Sequence, residues 1–163
     1  MNLQRPFDFG KLSFNIDGTY LKSFKSRLLE NQPFTEYAGE FGSSSFFDVY
    51  ARWKHNARVT WETGPWSVSL YQRYVSAYKD EKPLGVIPPG FDPYVHAYYT
   101  FNLMTTYRGI KNATITVGIR NLFDKDPSFS AHNVDDVGGT GWDARVGDPR
   151  GRSFYLAATY KFK

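Results

Sequence analysis

The last residues of the chain alternate, with few exceptions, between large apolar side chains and small or polar ones. In the stretch 153–162, Phe154, Leu156, Tyr160 and Phe162 share one parity of the sequence. Successive side chains of a β-strand point to opposite faces, so this alternation predicts a strand with one apolar face. The same period of two recurs upstream in segments that are longer than an average soluble strand.

The period-two pattern predicts six strands, and no stretch sustains the period of a helix. The predicted ranges are 11–26, about 50–63, about 66–79, about 95–108, about 112–123 and the terminal strand up to 162. Gly64 and Pro65 are typical of a tight turn between the second and third strands. We therefore predict an all-β fold, an antiparallel up-and-down meander that forms a single segment over residues 1–163.

The connections between these strands alternate between long and short. The ranges 27–49, 80–94 and 124–151 are long, whereas the turns at 64–65 and 109–111 are short. The three long connections hold 13 of the 16 acidic residues and five of the 20 basic ones. Outer-membrane barrels combine short periplasmic turns with long outer loops, so the pattern predicts a membrane sheet with an acidic outer rim.

Composition excludes several classes of protein. Phe and Tyr number 14 and 12, mean hydropathy is −0.50, and no apolar run approaches the length of a transmembrane helix. There is no cysteine, so disulfide frameworks and thiolate metal sites are excluded. The amino end lacks the apolar region of a secretory signal, which predicts either a cytosolic chain or one whose amino-terminal part is missing.

Two stretches near the carboxyl end resemble a known family. The segments VGIRNLFDKDPSFS (117–130) and GDPRGRSFYLAATYKF (147–162) are similar to the last strands of TonB-dependent outer-membrane receptors, and 54–80 looks like an upstream hairpin of such a barrel. The resemblance implies the last quarter of a 22-stranded β-barrel in the outer membrane of a Gram-negative bacterium. It also implies partners: membrane lipid, the plug and other strands of the receptor, the TonB system, and the barrel-assembly machinery.

The resemblance and the strand pattern together suggest three groups of functional residues. Aromatic side chains of the outer loops are candidates for solute capture: Phe34, Tyr37, Phe46, Phe47, Phe91 and Trp142. Arg58, Arg73 and Arg120 are predicted to line the lumen, where they would suit an anionic solute or pair with carboxylates from another part of the protein. The final strand, with Phe154, Leu156, Tyr160 and Phe162, would carry the barrel-assembly signal.

Other functions find little support in the residues. Catalytic motifs are missing, the histidines lack metal-ligand spacing, and the basic residues form no compact patch for nucleic acid, so we expect no enzyme, metal or cofactor. Two alternatives stay open: a soluble β-sandwich or barrel that binds carbohydrate, and one stave of a barrel built from several copies. Six strands cannot close a membrane barrel, so we expect the isolated chain to be unable to transport.

Overall fold

A computed structural model describes residues 1–42, 48–80, 89–131 and 141–162. Its strands, numbered in chain order, are β1 (Asn2–Phe7), β2 (Gly10–Tyr20), β3 (Lys25–Ser26), β4 (Thr35–Glu36), β5 (Trp53–Thr63), β6 (Trp66–Val75), β7 (Tyr78–Lys79), β8 (Tyr94–Val95), β9 (Tyr98–Tyr107), β10 (Ala113–Arg120) and β11 (Ser153–Tyr160). Seven of them form one antiparallel sheet in the order β1-β2-β5-β6-β9-β10-β11. The predicted all-β meander is confirmed, and no helix in the described ranges is long and apolar enough to cross a membrane.

Among the described residues the main sheet has seven strands, whereas the alternation predicts six. The additional strand is β1, which pairs with β2 from Asn2↔Asn15 to Phe7↔Gly10. Its apolar alternation is broken by Arg5 and by Pro6, which has no backbone N–H to donate. The first predicted strand also ran too far, because β2 ends at Tyr20 and residues 25–26 pair instead with β4.

The register gives the sheet two chemically different faces. One face carries an apolar row across six strands: Phe14, Val59, Leu70, Leu103, Ile119 and Phe154. The residues next to them along the strands form a polar row, with Asn15, Arg58, Tyr71 and Asn102 in register. Large side chains of the apolar face are open to the surroundings, including Leu156 at 73% exposure. The sheet therefore presents a continuous apolar surface on one side only.

The connections separate to the two ends of the sheet. Residues 8–9, 64–65 and 108–112 join strands tightly at one end, and the ranges 21–52, 76–97 and 121–152 connect them at the other. The tight turn predicted at Gly64 and Pro65 is present, with Thr63 paired to Trp66 and Gly64 in the left-handed region at a φ of 50°. The alternation of long and short connections thus holds along the whole sheet.

The buried core lies at the end of the long connections. Phe41, Val49, Ala51, Val75, Tyr78, Val95, Tyr98 and Val146 pack together there.

Backbone hydrogen bonds tie the three long connections to one another. Lys79 N donates to Gly39 O at 2.8 Å and Phe41 N donates to Lys79 O at 2.8 Å, which joins the first connection to the second. Ala131 N donates to Asp80 Oδ2 at 2.6 Å, which joins the second to the third. The described parts of the long connections are therefore joined to one another by hydrogen bonds at this end of the sheet.

Candidate functional site

The polar face holds all three arginines that the sequence placed in the lumen. Arg58 and Arg73 line one cavity of about 490 Å³ together with Asn15, Asp17, Asn56, Tyr71 and Asn102. Arg73 and Arg120 line a second cavity of about 390 Å³, which reaches Asp148 and Arg150 in the last long connection. Arg73 belongs to both cavities, so the arginines follow one continuous polar surface.

Two of these arginines rest on tyrosine rings. The Arg58 guanidinium lies 5.6 Å from the ring centre of Tyr71, and that of Arg120 lies 5.5 Å from the ring centre of Tyr155. Arg58 Nη1 also donates to the Tyr71 hydroxyl at 3.5 Å, and the other N–H groups of a guanidinium over a ring stay available to an acceptor. The tyrosines therefore hold positive charge at the polar face while leaving donors for a carboxylate or phosphate.

The third arginine serves a different purpose, since it fastens a loop to the sheet. Arg73 Nη1 donates to Val146 O at 2.9 Å and Nη2 donates to Arg145 O at 3.4 Å. Arg145 in turn forms an ion pair with the buried Asp143, with 3.0 Å between Nη2 and Oδ2. Because charged donors make the stronger hydrogen bonds, Arg73 anchors residues 145–146 over the outer end of the polar face.

Carboxylates of the long connections are held in their charged form by hydrogen bonds. Arg150 donates to Asp148 through its side chain and its backbone, which lowers the pKa of that carboxyl to about 2. Ser23 Oγ and the backbone N–H groups of Phe24 and Ala38 donate to Glu36 and lower its pKa to about 2 as well. These two carboxylates of the long connections consequently stay ionised at every physiological pH.

The predicted capture residues occupy different environments. Phe34 is 62% exposed and lies under the guanidinium of Arg27, at 4.8 Å from the ring centre. Tyr37 is buried and packs against the rings of Phe24 and Tyr50, at centroid distances of 6.3 Å and 6.2 Å. Phe91 and Trp142 are half-buried, whereas Phe46 and Phe47 lie outside the described residues. Of the four described aromatics, Phe34 is the one that most clearly faces outward.

The proposed assembly residues share the apolar face of the last strand. Phe154, Leu156, Tyr160 and Phe162 are 72%, 73%, 54% and 88% exposed. The rings of Tyr160 and Phe162 meet edge to face at 4.9 Å. Their exposure leaves this apolar surface available for contact with lipid or protein.

The sequence pattern did not indicate that Tyr71 and Tyr155 lie against the guanidinium groups of Arg58 and Arg120. The position of Tyr71 could have been predicted, because a two-residue turn at Gly64 and Pro65 fixes the strand register and so places Tyr71 opposite Arg58. No comparable signal existed for Tyr155, whose strand follows a long connection. In the described ranges, no three His, Asp or Glu side chains come together as a metal ion would need.

Solved structures with the same arrangement of strands exist. The ferric enterobactin receptor PfeA of Pseudomonas aeruginosa, seen in its G324V mutant, superposes with a TM-score of 0.56 at 24% identity over 99% of this chain. The copper transporter OprC superposes with a TM-score of 0.54 at 19% identity, again over 99% of this chain. The chain has the fold of a TonB-dependent receptor barrel segment. The sequence resemblance to these receptors thus extends to the structure.

The chain is short beside its structural neighbours. It spans 21% of the length of PfeA and 22% of that of OprC. Comparisons with models of protein families and with curated proteins found no match.

Proposed function

We propose that the chain is one sector of an outer-membrane receptor that takes up a scarce solute by TonB-coupled transport. The observation that carries the proposal is the division of the sheet into an apolar face and a polar, arginine-bearing face. Val117, Phe154 and Leu156 are between 50% and 73% exposed on the apolar side. A soluble sheet would cover such residues with a second layer, whereas lipid covers them in a barrel.

The rest of the receptor is part of the proposal. Strands β1 and β11 each pair on one side only among the described residues, and seven strands are fewer than the smallest single-chain bacterial barrels contain. Unpaired strand edges are not tolerated in lipid, so further strands would close the barrel. A plug, the TonB system and the barrel-assembly machinery would then act on the complete receptor in the outer membrane of a Gram-negative cell.

The solute would meet the long connections first and the arginines afterwards. The proposed capture residues in the long connections are Phe34, Tyr37, Phe46, Phe47, Phe91 and Trp142, of which Phe46 and Phe47 lie outside the described residues and Tyr37 is buried. Below them, Arg58 and Arg120 would offer N–H donors to an anionic solute, because their guanidinium groups lie over tyrosine rings at the polar face. Since PfeA is a ferric enterobactin receptor, ferric siderophores are the first solutes to test.

The first experiment measures the size of the purified chain by light scattering, together with circular dichroism, without and then with detergent. We expect a β-rich species that stays monodisperse only in detergent, because the apolar face needs cover. A stable soluble monomer would overturn the membrane assignment and favour the carbohydrate-binding alternative.

A second experiment tests uptake by cells that carry the complete receptor. We expect accumulation of a labelled anionic solute to need the TonB system and to fall when Arg58 and Arg120 are both replaced by Gln. Replacement of the exposed Lys22 serves as the control. If uptake is unchanged in the double variant, the two arginines do not bind the solute on its path.

A further inference from the structure

The segment Asn121–Lys125 is folded into a rigid turn at the outer end of β10. Asn121 Nδ2 donates to Lys125 O at 3.0 Å, and Lys125 N donates back to Asn121 Oδ1 at 2.9 Å. Asn121 and Asp124 adopt left-handed φ angles of 50° and 55°, which few residues other than glycine favour. The backbone N–H of Arg152 also donates to Asp124 Oδ1, at 2.6 Å. The turn is therefore fixed both internally and to the first residue before β11.

This turn places an aromatic side chain on the apolar face of the sheet. Phe123 is 68% exposed and meets Phe101 edge to face, with 5.4 Å between ring centres. Phe101 meets Tyr99 in the same manner at 6.2 Å. Phe101 and Tyr99 both belong to the apolar side of β9. An exposed ring held so firmly suggests contact with something outside the chain.

A groove of about 290 Å³ lies beside these rings. Its lining consists of Tyr99, Thr100, Phe101, Asn121, Phe123 and Lys125. The floor and walls are mainly aromatic, and the Lys125 side chain supplies the cation. The neighbouring acid Asp124 accepts the backbone N–H of Arg152, and its Oδ2 lies 3.9 Å from Arg152 Nη2, so the Asp124 carboxylate is engaged by Arg152.

We propose that this groove binds a phosphorylated lipid of the outer leaflet, with one acyl chain against Phe123 and the phosphate at the Lys125 ammonium. The inference rests on the proposed function, which puts the apolar face in lipid and the long connections outside. A lysine at the end of a membrane strand extends its ammonium to the headgroup level, where it attracts anionic groups. Aromatic rings at the same level suit the boundary between acyl chains and headgroups.

The test uses the complete receptor, purified in detergent and titrated with lipid A, and it counts bound lipids by native mass spectrometry. One cation near an anionic lipid surface is worth about a fivefold change in affinity. We therefore expect Lys125→Gln to weaken lipid A binding about fivefold and to leave binding of dephosphorylated lipid A unchanged. Phe123→Ala should weaken the binding of both lipids, because it removes the contact with the acyl chain.

Two control variants match these changes elsewhere on the chain. Lys22→Gln removes an exposed charge near the same end, and Phe9→Ala removes a ring of similar exposure, 62%, from the tight turn at the opposite end of the sheet. The groove is not the site if Lys22→Gln weakens lipid A binding as much as Lys125→Gln does, and if the control at the other phenylalanine weakens it as much as Phe123→Ala does. A receptor that stays soluble and monomeric without detergent would contradict the proposed function as well. If the receptor needs detergent but Lys125→Gln leaves its lipid A binding unchanged, only the inference about the groove is contradicted.

Discussion

Replacing Gly118 with alanine would put a methyl group where the ring of Tyr155 lies. A Cβ at position 118 would sit 2.2 Å from Tyr155 Cζ and 2.3 Å from its Cε1. Carbon atoms that are not bonded pack at about 3.5–4.0 Å, so the ring must move by more than about 1 Å. It would then leave its place beneath the guanidinium of Arg120. Overpacking costs about 1–3 kcal/mol, and loss of the cation–π contact adds about 0.5–1 kcal/mol.

We expect Gly118→Ala to lower the free energy of unfolding by about 2 kcal/mol, which lies within the range for overpacking. The assay is a urea titration of the complete receptor in detergent micelles. The matched measurement introduces the same alanine into a Tyr155→Ala receptor, where the methyl group meets no ring. There its cost should fall to about zero, which gives a coupling energy of about 2 kcal/mol between the two positions. Equal costs in both backgrounds would refute the steric argument.

Three further predictions concern the rim, its pH dependence and the lipid face. Arg73→Gln should speed hydrogen exchange at residues 145–146, because the charged donors to these carbonyls are lost; unchanged exchange would mean that the loop is held by other contacts. The pKa of Glu36 is about 2 in the folded chain and lies below its usual value of 4.5, so its stabilisation is complete above about pH 4.5 and disappears as the pH falls towards 2. Hydrogen exchange of residues 21–42, corrected for intrinsic rates, should rise over that range, and Glu36→Gln should abolish the rise. Leu156→Arg should cost about 2–4 kcal/mol in a lipid bilayer, whereas Ala157→Arg on the polar face should cost little, and equal costs would contradict the assignment of the faces.

The faces and turns of the long strands could be predicted because their signals are local. Alternation fixes which side of a strand each residue occupies, and it placed Arg58, Arg73 and Arg120 on one polar surface of the sheet. Strand β1 was not predicted, because Arg5 and Pro6 interrupt its alternation of apolar and polar residues. All six of its residues are exposed, so no burial reinforced the alternation.

Contacts between distant parts of the chain could not be predicted. The short strands β3, β4, β7 and β8 have two residues each, and each forms only by pairing with another short strand within the same long connection. The burial of Tyr37 depends on Phe24 and Tyr50, whose approach no sequence period encodes. The role of Arg73 as an anchor likewise arises from Val146, far along the chain. Alternation gives the direction of a side chain but does not give its partner.

The hydrogen bonds that link the long connections also decide where this surface can accept foreign sequence. Residues 39–41 bond to Lys79, and Asp80 bonds to Ala131, so an inserted peptide at any of these points would disturb two connections at once. The stretch from Leu28 to Phe34 carries exposed side chains and lies outside those contacts. An epitope tag or a displayed peptide should therefore be tolerated at 28–33, as exposed loop tips generally allow. Natural variation in loop length is expected to concentrate at the same place.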